Sequence, residues 1–198
     1  MRLTSLLTSG ILVAVAALLV ACGAAPSPGA PSATAAPDMS GMDHSTMPGM
    51  SDAPYDALFI DSMIVHHEGA IAMAQQALES AERPEIRQLA EAIVSAQQTE
   101  IAQMRAWRSA WYPDLAPTDG MQMDMGPMSV ADGSTPFDQR FIEAMIPHHE
   151  GAIMMARDAL QKVERQEIKD LAQAIITAQE AEIEQMRQWL QEWYGITL

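Results

Sequence analysis

Cysteine is nearly absent: Cys22 is the only one in 198 residues. A disulfide within the monomer, a thiolate metal cage and a cysteine nucleophile are therefore excluded. Basic residues are also scarce, 11 Lys and Arg against 26 Asp and Glu, for a formal charge of −15. Binding to a phosphate backbone needs a basic footprint, so nucleic acid is excluded as a partner. The acidity suits instead a soluble domain that attracts cations. No glycine-rich phosphate loop, no nucleophile–base–oxyanion arrangement and no cofactor motif is present.

The N-terminus carries Arg2, an apolar run from Leu3 to Val20 and small residues before Cys22, the order of a secretory signal. Leu19-Val20-Ala21-Cys22 resembles the bacterial lipobox, in which cleavage precedes a cysteine that is then acylated. An uncleaved membrane anchor is the competing reading of the same run. The sequence thus predicts a signal over residues 1–21. A lipidated Cys22 would follow, attached to a Pro- and Ala-rich tether that runs on to residue 53. Expected localisation is extracytoplasmic, anchored by lipid to a bacterial membrane on its periplasmic or cell-surface side.

Methionine, by contrast, is plentiful, at 16 residues. Met39, Met42, Met47 and Met50 surround His44 in a stretch rich in Gly, Ser and Pro, where thioethers have no core to fill. A second such cluster, Met121, Met123, Met125 and Met128, lies in the other non-helical segment. Soft thioether and imidazole donors select Cu(I) over hard cations, and a flexible chain can fold several of them around one ion. The first cluster resembles the methionine-rich repeats of periplasmic copper-resistance proteins.

The remainder is a duplication. Residues 54–112 and 136–194 align without a gap and share most of their residues. Met63-Ile-Val-His66-His67-Glu68-Gly69 returns 82 positions later as Met145-Ile-Pro-His148-His149-Glu150-Gly151. A repeat unit this long is a helical hairpin, not a solenoid element. In the first arm, Asp56, Phe59, Ile60, Met63, Ala70, Ala74, Ala77 and Leu78 recur with helical period, with His67 near the middle of the stripe and His66 nearer its edge. In the second arm the stripe is Ile86, Leu89, Ile93, Ala96, Glu100, Met104, Trp107 and Trp111. Thr135 offers an N-cap hydroxyl to the third helix, and Pro84 suits the first turn of the second. The predicted fold is all-α: hairpins over 54–112 and 136–198, joined by a Met- and Pro-rich crossover over 113–135. A link of about 20 residues is long enough to travel the bundle's length, which favours a ferritin-like four-helix bundle with one crossover and a pseudo-two-fold axis.

Histidine on an apolar stripe is, taken singly, more often a hydrogen-bonded core residue than a ligand. Here the pairs His66–His67 and His148–His149 face each other across a bundle interior, where side chains from several helices build metal sites. Glu100 and Glu182 interrupt apolar stripes, and a carboxylate there needs a cation, a metal or a histidine. Met63, Met145, Met73 and Met155 share the histidine face and serve either as core or as thioether ligands. Gln97 and Gln179, one turn before the glutamates, are positioned to orient ligands. Glu68 and Glu150 belong to the flank. Gly69 and Gly151 weaken the helix and leave room for a close neighbour, and Pro147 should kink the third helix.

The Met-Ile-x-His-His-x-Gly-Ala-Ile-x-Met-Ala wording is followed by Leu-Ala-x-x-Ile-x-x-x-Gln-x-x-Glu-Ile-x-x-Met and a closing Trp. It resembles the bacterial family catalogued as domain of unknown function 305, over essentially residues 54–194. That resemblance implies ferritin-like helical architecture and copper binding. The di-iron signature Glu-x-x-His is missing, since Gln103 and Gln185 stand where it needs His. The function expected is capture of a transition metal, copper as Cu(I) before others, for sequestration, tolerance or transfer. A ferritin-like redox enzyme or a structural adaptor bundle are the competing readings. Expected partners are metal ions, a membrane through the lipid anchor, and a metal-exchange protein or a second copy of the chain.

Overall fold

The computed structural model describes residues 53–198. Cys22, Met39, Met42, His44, Met47 and Met50 lie outside them. Four helices account for the regular structure: α1 (Tyr55–Ser80), α2 (Pro84–Trp111), α3 (Phe137–Lys162) and α4 (Gln166–Tyr194). None is long and apolar enough to cross a membrane.

Prolines punctuate the starts. Pro54 and Pro136 precede α1 and α3, and their carbonyls accept the first helical N–H groups, from Ala57 at 2.9 Å and Arg140 at 3.2 Å. No side chain caps either helix, so the Thr135 hydroxyl does not have the capping role expected of it. Proline's fixed backbone angle presets the entry into the helix instead. α4 ends on Gly195 at φ 69°, the left-handed residue that lets the last carbonyls be met by backbone N–H groups.

Direction follows from two end contacts. Asp138, at the start of α3, accepts the backbone N–H groups of Glu82 (3.0 Å) and Arg83 (2.9 Å) in the α1–α2 bend. At the other end, Tyr55 at the start of α1 hydrogen-bonds Asp158 near the end of α3, and Asp56 lies 3.5 Å from Arg165. α1 and α3 are therefore antiparallel, and α2 and α3 run the same way. Two parallel neighbours in sequence require a connection that returns along the bundle, which is the single-crossover arrangement. The chief helix contacts are α1 with α2, α3 with α4, and α1 with α3. α1 and α3 thus form the inner pair, with α2 and α4 outside them.

The pseudo-two-fold is visible in reciprocal contacts. Arg83 stacks over Trp193 at 4.0 Å, and Arg165 over Trp111 at 4.2 Å; each pair is the other shifted by one repeat. The core is Phe59, Ile60, Met63, Met73, Met104 and their counterparts Phe141, Ile142, Met145, Met155 and Met186, all fully buried. Two stripe positions deviate. Leu78 is 37 % exposed and Ala96 is exposed, whereas Ala90, Gln97 and Ile101 are buried. α2 packs chiefly on α1, and its buried stripe is rotated toward the 90/97/101 side. Glu100 consequently sits at the stripe's margin, where its side chain is 22 % exposed and the desolvation penalty of a full burial is reduced.

Candidate metal centre

His66, His67, His148 and His149 are all fully buried, placed by the inner helices α1 and α3 where these cross. The rings form one row, with centroid separations of 6.3 Å from His67 to His66, 3.8 Å from His66 to His148 and 6.4 Å from His148 to His149. The row is symmetric about the 66–148 contact, as the duplication requires.

Its ends are tied to the outer helices. His67 Nε2 lies 2.7 Å from Glu100 Oε2, and His149 Nε2 lies 2.7 Å from Glu182 Oε2. A carboxylate only accepts, so each Nε2 carries the proton and each Nδ1 keeps a lone pair. Both Nδ1 atoms are buried without a partner. A carboxylate that fixes the tautomer and frees the other nitrogen is how proteins orient histidine ligands toward metals.

At the centre the symmetry fails. His148 Nδ1 lies 2.7 Å from the Pro127 carbonyl and Nε2 3.1 Å from the His66 carbonyl. Neither His66 nitrogen makes a hydrogen bond of good geometry, and its one weak contact, with the His148 backbone, raises its pKa only slightly. Burial, followed by the charges of neighbouring histidines, lowers the His66 pKa to about 2. Burial and His149 lower that of His148 to about 4, against the raising effect of its two carbonyl bonds. Both rings are neutral near pH 7, the protonation state in which imidazole donates to a metal.

Among the described residues, the buried side-chain polar atoms without a hydrogen bond are His66 Nδ1 and Nε2, His67 Nδ1, His149 Nδ1, Gln97 Oε1, Gln179 Oε1 and Arg187 Nε. Each unsatisfied buried group costs about 1–3 kcal/mol and calls for an explanation. The donor chemistry fits a soft or borderline transition metal, with uncharged imidazoles and thioethers inside and two carboxylates at the margin. Among the described residues, however, no three His, Cys, Asp or Glu side chains surround a common point in this arrangement.

Other residues singled out by sequence fall as follows. Met63, Met73, Met145 and Met155 are fully buried in the core. Glu68 and Glu150 are half exposed and paired with Arg105 and Arg187. α3 continues through Pro147. Residues 113–135 form a strap that lies against α1 and α3. Met121 donates its N–H to Ser62 Oγ at 2.6 Å, and Met121 and Met123 pack on the core. A Cβ on Gly151 would come within 3.0 Å of the Met125 backbone, and one on Gly69 would meet the Met128 side chain. The close neighbour that both glycines accommodate is thus the strap. Sequence reasoning missed Pro127, whose carbonyl anchors His148, because a backbone acceptor has no residue signature.

A family model described as "Domain of unknown function (DUF305)" matches residues 15–108 and 56–190. Among solved structures, CopM in an Ag-bound form is 42 % identical with a TM-score of 0.62, covering 71 % of this chain and 98 % of that one. CopM in the Cu(I)-bound form matches at 42 % identity and a TM-score of 0.61, over the same shares. A secreted DUF305 protein from Streptomyces coelicolor, described as putative, is 26 % identical with a TM-score of 0.59, covering 70 % of this chain and 93 % of its own. No curated protein matches.

Proposed function

This chain belongs to the DUF305 family, and from that premise we propose that it is an extracytoplasmic copper-binding protein. It takes Cu(I) into the buried histidine row, for sequestration, tolerance or transfer to a partner. The observation that carries this reading is His66: a fully buried, neutral imidazole whose nitrogens make no hydrogen bond of good geometry, only a weak contact with the His148 backbone, in the midst of thioether-bearing helices. A fold that needed only a polar core contact at that position would have bonded it. The carboxylates of Glu100 and Glu182 orient the flanking rings, and Met63, Met73, Met145 and Met155 supply sulfur from the same helices. CopM, solved with Ag, Cu(I) and Cu(II), supports copper as the ion. When bound, the ion would supply an electron-accepting centre for soft donors. The residues would offer imidazole nitrogens to it, exclude water and fix the rings.

The N-terminal methionine-rich segment forms the outer part of the same function. Met39, Met42, His44, Met47 and Met50 collect Cu(I) on a tether held to the membrane by an acylated Cys22, after removal of residues 1–21. The relative described as a putative secreted protein supports the extracytoplasmic side of this location.

Competition titration of the full chain against a Cu(I) chelator tests the reading. Deleting residues 39–50 should lower the number of ions bound while leaving the tightest one in place. If the deletion abolishes all tight binding, or if the full chain binds no Cu(I), the bundle is not a copper site.

A further inference from the structure

The histidine row is fully buried, so whatever it takes up must first be let in. Its ends meet Glu100 and Glu182 at the bundle margin, while its centre lies under the strap. Gly126 adopts φ 68°, and a Cβ there would stand 2.7 Å from the Pro147 carbonyl oxygen and 2.8 Å from the His148 backbone nitrogen. The strap therefore seats on the backbone of α3 at this point, and only glycine lets it. From that seat Pro127 gives its carbonyl to His148 Nδ1 at 2.7 Å, and Met128 covers Gly69 on α1. Three consecutive residues thus roof the contact between His66 and His148.

The roof is clamped at both ends. Before it, Arg108 donates to the Leu115 and Ala116 carbonyls at 3.1 and 2.8 Å, and Asp61, paired with Arg108 at 2.9 Å, accepts the Thr118 N–H at 2.9 Å. After it, Arg140 donates to the Thr135 and Ala131 carbonyls. Between the clamps, residues 119–130 are bonded to the helices chiefly through Met121 N–H to Ser62 Oγ, Val130 N–H to Gln76 Oε1 and His148 Nδ1 to Pro127. The first half is loosely seated, with a cavity of about 310 Å³ lined by Ile64 and Val65 of α1 and by Gly120, Met121 and Met125 of the strap. The duplication sets these contacts apart. Asp61, Ser62, Gln76, Arg108 and Arg140 correspond to Glu143, Ala144, Asp158, Leu190 and Leu58 in the other repeat, so all five strap-holding side chains differ from their mates.

Resting on the copper reading, we propose that residues 119–130 are a lid over the centre of the histidine row, which lifts between the Arg108 and Arg140 clamps to let a soft monovalent cation reach the rings. Gly120, at φ 72°, is the turn at the first clamp. Lifting gives up a few hydrogen bonds and the Met128 contact, so it is a local opening that leaves the four helices folded. It also frees His148 Nδ1 from Pro127 at the moment the row is uncovered, and seating the lid restores that bond. Removing one of the seating contacts raises the open population by about three- to tenfold.

The test uses full chains carrying M39L, M42L, M47L and M50L, so that the N-terminal cluster does not compete. Ser62→Ala installs the residue of the other repeat and removes the Met121 bond, and Gly126→Ala blocks the seat on α3. In both, hydrogen exchange at the strap amides of the metal-free chain should quicken. An excess of a chromophoric chelator should strip Cu(I) from the loaded chain about three- to tenfold faster. Uptake should quicken by the same factor, because a lid changes entry and release together and leaves the equilibrium affinity where it was. Met154→Leu, on the exposed side of α3, should change none of these. Faster strap exchange with unchanged Cu(I) rates would overturn the lid and bring the ion in past Glu100 or Glu182, while the copper reading stands. Faster release with slower or unchanged uptake would also overturn it, since the strap would then hold the ion instead of covering it. A parent chain in which Cu(I) leaves the His66 and His148 ring signals unmoved would overturn the copper reading and the lid with it.

Discussion

His66→Leu will cost the chain its tightest Cu(I) site and make the apo bundle more stable. In the apo protein His66 contributes two buried nitrogens with no hydrogen bond of good geometry, desolvated with only a weak contact to the His148 backbone to offset the cost. Leucine has similar bulk and no polar atoms, so it removes that penalty. The expected gain is about 1–3 kcal/mol in urea denaturation without metal. With metal the order reverses, because ligand binding stabilises only the chain that still has the site. A residue that serves packing alone gives the opposite apo result. Loss of stability in the apo His66→Leu chain, with Cu(I) affinity unchanged, would show that the ring is a core contact and not a ligand.

The second large effect is acid sensitivity. The folded pKa values of His66 and His148, about 2 and about 4, lie below the ordinary value of 6.5 for an unfolded histidine. Between those limits the unfolded chain binds protons that the folded one refuses, so stability falls as the pH drops. Their stabilising contribution is complete above pH 6.5. His148 stops adding to the loss near pH 4, and His66 continues toward pH 2. Each such proton costs about 1.4 kcal/mol per pH unit, so the two together remove on the order of 5 kcal/mol by pH 4.5. That is a large share of the stability of an ordinary domain. Urea unfolding of the apo chain between pH 7.5 and 4.5 should show this slope, and His66→Leu should reduce it by one proton. A flat profile would mean that both rings hold protons in the folded state.

Much of the architecture was legible in the residues. Identity at a fixed spacing gives two hairpins, and proline beside Phe137 and at Pro84 marks helix starts. The length of the 113–135 link distinguishes a crossover from a tight turn, because parallel α2 and α3 need a connection that spans the bundle. Inward-facing histidines at 67 and 149 follow from period, whereas 66 and 148, nearer the edge of the stripe, are buried just as fully. The limits were equally physical. An ideal wheel places Ala96 and Leu78 inside, but the buried side of a helix is set by which neighbours it has, and α2 has chiefly α1. The strap has no periodicity to read, so nothing in its sequence foretells that Pro127 reaches His148 or that Met128 fills the space above Gly69. The glycines signalled that something comes close without saying what. Duplication itself misleads at the centre: it implies equal half-sites, and an unrepeated connection makes them unequal.

The central claim is that the buried histidine row, His66 above all, holds the soft cation. Nitrogen-detected NMR of the histidine rings during titration of the full chain with Ag(I) tests it most directly. The account predicts that the His66 and His148 ring nitrogens shift at the first equivalent, with His66 changing most because neither of its nitrogens starts in a hydrogen bond of good geometry. Ring signals that stay in place while only the methionine methyls of residues 39–50 respond would contradict it.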